Sequence, residues 1–206
     1  MVLNFHLSEK MGLEIIKQSP WLARLMLPLW QWDTRQKFKR LESWLNHQDL
    51  ILELGSGLGT ITDYFQQQGF TIVPLDIQNF SLFSKVKPIV YDGQKIPFED
   101  KAFSSVLLLT VLHHTVDVVS VICEAKRVGH KIMIIEDIYD NKLQQYLTYA
   151  VDSLVNFEFS EHPHNNRTDE EWQNLFERLK LKLIYTESYS FLFLFKQVIY
   201  VLEVRE

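Results

Sequence analysis

Glu53, Gly55, Gly57 and Gly59 stand in one run, Glu53-Leu54-Gly55-Ser56-Gly57-Leu58-Gly59-Thr60. The apolar residues Leu50-Ile51-Leu52 precede it and the helix-like stretch 61–68 follows. A strand, a glycine turn and a helix in this order cradle a nucleotide-like ligand, because glycine lets the backbone turn tightly and approach closely. The dinucleotide spacing is G-x-G-x-x-G, whereas here it is G-x-G-x-G, with an acid two residues before the first glycine. A second acid, Asp76, ends the run Val73-Pro74-Leu75, 17 residues after Gly59. That distance is one helix plus one strand, and a carboxylate there can accept from two ribose hydroxyls.

Other groups with chemistry in them follow later apolar runs. His113 and His114 end the run 105–110, and Glu136 and Asp137 end the run 131–135. A histidine titrates near neutrality and can take a proton from a hydroxyl or phenol. His113, His114 and Glu136 are therefore candidates for a base or a substrate-positioning group. The plain alternative is a histidine bonded to backbone and a carboxylate that caps or is solvated. Asp137, Tyr139 and Arg167 are candidates to hold the substrate, Arg167 through an anionic or carbonyl group. His162 and His164 lack the companions that complete a zinc site, so no metal is expected.

These residues need a scaffold, and the hydropathy pattern supplies one. Apolar runs at 50–54, 71–75, 88–91, 104–110 and 131–135 alternate with helical stretches at 59–68, 79–85 and 116–127. Such alternation makes a parallel sheet with helices on both faces. The end differs: a helix over 168–179, then two strand-like runs, 181–188 and 198–204, joined too closely for a parallel crossover. The expected fold is an α/β, Rossmann-like, doubly wound sheet of seven strands, mostly parallel, with one antiparallel strand near the C-terminus. Thr168 and Glu171 read as a capping box. Residues 8–46 read as helices punctuated by Pro20 and Pro28, with Pro20 at a first turn.

The glycine run, Asp76 and the sheet's ending resemble class I S-adenosylmethionine-dependent methyltransferases. The closest likeness is to the small-molecule branch typified by ubiquinone and menaquinone biosynthesis enzymes. The stretch Asp92-Gly93-Gln94-Lys95-Ile96-Pro97-Phe98-Glu99-Asp100-Lys101-Ala102-Phe103 resembles that family's D-x-x-x-L-P-F-x-D-x-x-F-D pattern, with Ser104 in place of its last Asp. Leu112-His113-His114 and Glu124-Ala125-Lys126-Arg127-Val128 fit it too, while its L-K-P-G-G turn is cut to Gly129-His130. Arg167-Thr168 through Trp172 is similar to another family stretch.

The resemblance implies S-adenosyl-L-methionine as cofactor. Gly55, Ser56, Gly57 and Gly59 would lie under its methionine and ribose, and Glu53 would anchor the amino end. Asp76 and Ile77 would serve the ribose, and Asp92 and Gly93 the adenine. Thr110 and Val111 would line the methionine end through backbone, and Arg127 would make a structural contact. The implied reaction is methyl transfer to a small-molecule acceptor. A nicotinamide oxidoreductase is the second reading, and a catalytically inactive binding or scaffold protein the third.

Composition sets the remaining expectations. A chain of 206 residues, 47% hydrophobic, fits a single domain. It divides into a helical lid or cap (1–46), a cofactor core (47–135), a substrate-region insertion (136–167) and a terminal helix with a strand pair (168–206). A net charge of −5 argues against nucleic acid as a partner. The single cysteine, Cys123, excludes an internal disulfide and reads as apolar packing. No run is long enough to span a bilayer and no signal peptide is evident, so a cytoplasmic protein is expected. Trp21, Leu22, Leu25, Met26, Leu29 and Trp30 recur at helical spacing, followed by Arg35, Lys37, Lys39 and Arg40. The expectation is one apolar face packed on the domain and a solvated basic turn. A lid over the substrate, or a peripheral membrane contact, are the sharper alternatives.

Overall fold

The computed structural model describes residues 13–139, 144, 165–191 and 195–204. Its elements run α1 (Pro20–Leu41), β1 (Leu50–Leu54), α2 (Thr60–Gln67), β2 (Thr71–Asp76), β3 (Ile89–Val90) and β4 (Phe103–Leu109). Then come α3 (Val118–Val128), β5 (Gly129–Ile138), α4 (Asp169–Arg178), β6 (Leu181–Phe191) and β7 (Phe195–Val204).

One seven-stranded sheet is ordered β3-β2-β1-β4-β5-β7-β6. Strands β1 to β5 pair parallel. β7 runs antiparallel to both β5 and β6, so it alone is reversed. This is the doubly wound sheet with one antiparallel strand that the sequence pattern predicts.

The helices cover both faces because successive side chains on a strand point opposite ways. On β5, Ile132 and Ile134 join a cluster with Ile122 and Ala125 of α3 and Trp172 and Phe176 of α4. Met133 and Ile135 join the opposite cluster, with Phe38 and Leu41 of α1 and Ile61 and Phe65 of α2. Phe38 sets its ring edge-on to Phe65, Phe70 and Tyr64, which docks α1 on α2. Burial of aromatic side chains at this seam makes α1 part of the domain's packing rather than an appendage.

Local chemistry explains the helix ends. Pro20 sits at the start of α1, where its missing N–H costs nothing, and Thr168 with Glu171 forms the reciprocal capping box that opens α4. α1 continues through Pro28 rather than breaking there. α3 passes directly into β5 at Gly129, where an added Cβ would come within 2.5 Å of Val106 Cγ2. The shortened Gly129-His130 turn thus depends on a residue with no side chain.

Two expectations need correction. Residues 79–85 form turns and bends instead of a helix, tied by Asn79 Oδ1 and Ser81 Oγ accepting from backbone N–H groups. Short polar side chains that bond to nearby backbone compete with helix in this way. Cys123 is exposed on the outer side of α3, not packed.

Candidate functional site

The carboxyl ends of β1, β2 and β4 open into a cavity of about 590 Å³. Such a crevice beyond the strand ends is where open α/β sheets bind ligands. At its floor the β1–α2 turn is pinned by the N–H groups of Gly55 and Ser56, both donating to Leu75 O at 2.9 and 3.2 Å. Gly55 has a φ of +79°, and a Cβ there would lie 2.2 Å from Val111 Cγ2. Gly57 also has a positive φ, +49°, yet nothing lies within 4 Å of where its Cβ would be. The first glycine is demanded by packing, whereas the second faces open cavity.

Three polar side chains line this floor. Asp76 is 8% exposed and accepts from Gly57 N and Ile77 N, both at 2.7 Å. Those two amides fix the carboxylate at the cavity edge, while burial raises its pKa. Glu53 is buried and accepts from Thr62 Oγ1. Burial pushes its pKa up to about 8, against the pull of Thr62, with Asp76 adding to the rise and Lys37 opposing it. Ser56 Oγ is buried with no hydrogen-bond partner. An orphaned hydroxyl, a carboxyl short of counter-charge and an open glycine together suit a ligand with its own cation and donors.

The end of β4 makes the next wall. Thr110 adopts φ +56°, a conformation rare for a β-branched residue. Its N–H donates to Ile135 O at 2.7 Å and its hydroxyl to Leu109 O at 2.6 Å. After it, Glu136 reaches under the 111–114 turn. One oxygen accepts from Val111 N at 3.0 Å and Leu112 N at 2.7 Å, and the other is bonded to His113 Nδ1 at 2.5 Å. Glu136 is fully buried, His113 is 1% exposed, and neither lines the cavity. Of the two roles their sequence positions allow, a reactive group or a structural one, the geometry gives these two side chains the second, since they shape the turn. His114, its ring 4.0 Å from that of His113, does line the cavity.

Helix α1 closes the opposite side with Trp30, Asp33, Thr34 and Lys37. Lys37 was expected on a solvated basic turn. It is buried, pairs with Asp33 Oδ2 at 2.8 Å and donates to Thr110 Oγ1 at 3.0 Å. Asp33 Oδ1 is buried without a hydrogen-bond partner. Sequence reading missed Asp33, Lys37 and Tyr91 as cavity residues. The signal available was an i, i+4 acid–base pair on the inward face of a helix.

The 91–103 stretch rims the cavity with Tyr91, Gly93 and Gln94. Tyr91 has its pKa pushed up to about 12 by burial. Asp92 does not line the cavity; one of its oxygens accepts from Gln94 N at 2.9 Å and Lys95 N at 3.2 Å, and these bonds lower its pKa. The loop is held from below by Arg127, which donates to Phe98 O, Ile96 O, Glu124 and Asp100. Glu124 in turn accepts from Ile96 N at 2.8 Å.

The three substrate-holding candidates lie apart from this cavity. Asp137 accepts from Gln197 Nε2 at 2.9 Å. The Arg167 guanidinium lies 5.4 Å from the centre of the Trp172 ring, and its backbone bridges to Ile138. Tyr139 is half-buried at the end of the described segment. Most of the 136–167 insertion, with His162 and His164, lies outside the described residues. Among the described residues no cluster of metal-ligating side chains is present, and no helix is long and apolar enough to cross a membrane.

Comparison with known proteins adds to this geometry. Residues 52–131 match a family described as "Methyltransferase domain". No curated protein matches the chain. A SAM-dependent methyltransferase from Methanosarcina mazei superposes with a TM-score of 0.64 at 17% identity, over 81% of this chain and 97% of its own. A geranyl diphosphate methyltransferase, in complex with SAM, gives 0.65 at 13% identity, over 89% and 90%. A magnesium protoporphyrin IX methyltransferase from Synechocystis, with bound SAH, gives 0.61 at 14% identity, over 84% and 83%. At these identities the likeness is one of fold. The matched segment runs from β1 into β5 and contains the whole cavity floor.

Proposed function

We propose that this chain, an S-adenosylmethionine-dependent methyltransferase with the class I fold, delivers its methyl group to a small-molecule acceptor held between His114 and helix α1. The carrying observation is the shape of the cavity. The donor cradle at Glu53, Ser56, Gly57 and Asp76 is continuous with a wall made by Trp30, Asp33, His114, Val116 and Val121. Its volume of about 590 Å³ is that of a small-molecule site, and α1 covers it where a polymer would need an open groove.

The donor supplies a sulfonium-bound methyl, which an acceptor's lone pair displaces in line as the carbon–sulfur bond breaks. In this reading Asp76 accepts from the donor's ribose hydroxyls, Glu53 faces its ammonium, and Thr110 and Val111 border its methionine part. Gly93 borders the adenine through backbone. Asp92 supports that contact by fixing the turn rather than by touching the ring.

The chain's remaining work is to place the nucleophile and take its proton. His114 is the imidazole on the cavity wall, so it receives the proton of a hydroxyl or amine acceptor. The buried Asp33 Oδ1, unpartnered in this structure, accepts a hydrogen bond from the same acceptor, with Lys37 holding the carboxylate in place. Trp30 offers an aromatic surface to the acceptor's body. Glu136 and His113 position the turn that carries His114.

The test is transfer from methyl-tritiated donor in a cell extract, fractionated by mass. Label in the low-mass fraction, absent with the Gly57→Val protein, is the expected result. Label that instead precipitates with protein or nucleic acid would refute a small-molecule acceptor.

A further inference from the structure

A surface helix in a soluble domain turns its apolar stripe inward and its polar residues outward. Helix α1 does not. At about 100° per residue, its buried side is centred on Thr34, Lys37, Phe38 and Leu41. The opposite side carries Trp21, Leu25, Pro28 and Trp32, spaced four, three and four residues apart. Trp21 is 71% exposed, Leu25 67% and Trp32 42%. The exposed charged residues within α1 are Arg24, Arg35 and Lys39. All three are cationic, on a chain whose net charge is −5.

We infer that this outward face of α1 docks on an anionic lipid bilayer. Two observations select that occupant. Exposed tryptophans beside a leucine form the group that settles at the headgroup boundary, where the indole keeps its N–H wet and its rings dry. The adjoining cations match a negative surface, whereas the rest of an acidic protein is repelled by one. The orientation is set by the fold, because α1's other face is fixed to α2 through Phe38 and to Thr110, just beyond β4, through Lys37. Binding at this face would lay the cavity's α1 wall parallel to the bilayer. The contact is interfacial, since α1 is not apolar enough to span. It stands independently of the acceptor reading above.

The experiment is co-sedimentation of the full chain with vesicles of phosphatidylcholine alone, and of phosphatidylcholine mixed with phosphatidylglycerol. The chain should pellet with the anionic vesicles, with blue-shifted tryptophan emission, and should be released by salt. Trp21→Glu with Leu25→Glu should lower the bound fraction about tenfold while leaving circular dichroism unchanged. Arg24→Glu should weaken binding, and Arg178→Glu, the same charge change on the exposed end of α4, should not. No pelleting of the wild type, or pelleting unaffected by the Trp21/Leu25 pair, would overturn the inference. So would light scattering that shows a dimer dissociated by that pair without vesicle binding, which would assign the face to a second copy of this chain.

Discussion

Lys37 Nζ donates to Thr110 Oγ1 at 3.0 Å while pairing with Asp33 at 2.8 Å. One buried cation thus ties the N-terminal helix to the strained residue at the end of β4. Removing it alone leaves the Asp33 carboxylate half-buried and unpaired. Lys37→Met should therefore destabilise the protein by about 2–3 kcal/mol, below the full buried-pair value because Asp33 retains some exposure. The Asp33→Asn/Lys37→Met double variant should recover much of that loss. Urea denaturation of the four proteins as a double-mutant cycle measures it; additive losses would show that the pair is uncoupled.

The two cradle glycines should fail differently. Gly55→Ala drives a methyl to within 2.2 Å of Val111 and should lower the melting temperature. Gly57→Val meets open space and should fold with a strain penalty of roughly 1–2 kcal/mol, yet lose donor affinity about a hundredfold or more. Thermal melts beside donor titrations separate the two effects. Full donor affinity in Gly57→Val would move the ligand elsewhere.

Glu53 gives a pH signature. Its carboxyl holds its proton up to about pH 8 in the fold, against an ordinary 4.5. In that window the unfolded chain has already released the proton, so ligand-free stability falls as pH rises from about 4.5 to 8, by at most about 1.4 kcal/mol per unit. Glu53→Gln should lack this component and overtake the wild type toward pH 8. Equal slopes for the two proteins between pH 5 and 8, measured by denaturation, would refute it.

Much of this was legible beforehand. Alternating apolar runs disclosed the sheet order's raw material, and the closeness of 181–188 to 198–204 disclosed the reversed strand. Residues that act through their own backbone, Gly55, Gly57 and Thr110, announce themselves by type and spacing. Residues that act through what they touch do not. Glu136 and His113 read as reactive groups because each ends an apolar run. That they satisfy each other depends on β4 and β5 being parallel neighbours in register, Leu109 beside Ile135. Lys37 read as solvated because it sits among Arg35, Lys39 and Arg40. Only the rotation of α1 on the domain separates it from them. The 79–85 helix failed because Asn79 and Ser81 bond locally, a competition that apolar spacing does not register.

That division predicts opposite behaviour for two neighbours. Glu136→Ala strips partners from Val111 N, Leu112 N and His113 and should cost about 3 kcal/mol of stability or more. His114→Ala should stay folded and bind donor, and lose methyl transfer about a hundredfold or more. Melting curves with single-turnover assays decide it. A stable, inactive Glu136→Ala beside an active His114→Ala would reverse the assignment.

The central claim is that the donor lies in the cradle of Glu53, Gly57 and Asp76, and calorimetric titration with S-adenosylhomocysteine tests it most directly. The wild type should bind one equivalent, Asp76→Ala should bind at least about tenfold more weakly while retaining its fold, and NAD should give no heat. Undiminished binding by Asp76→Ala, or binding of NAD in place of S-adenosylhomocysteine, would contradict it.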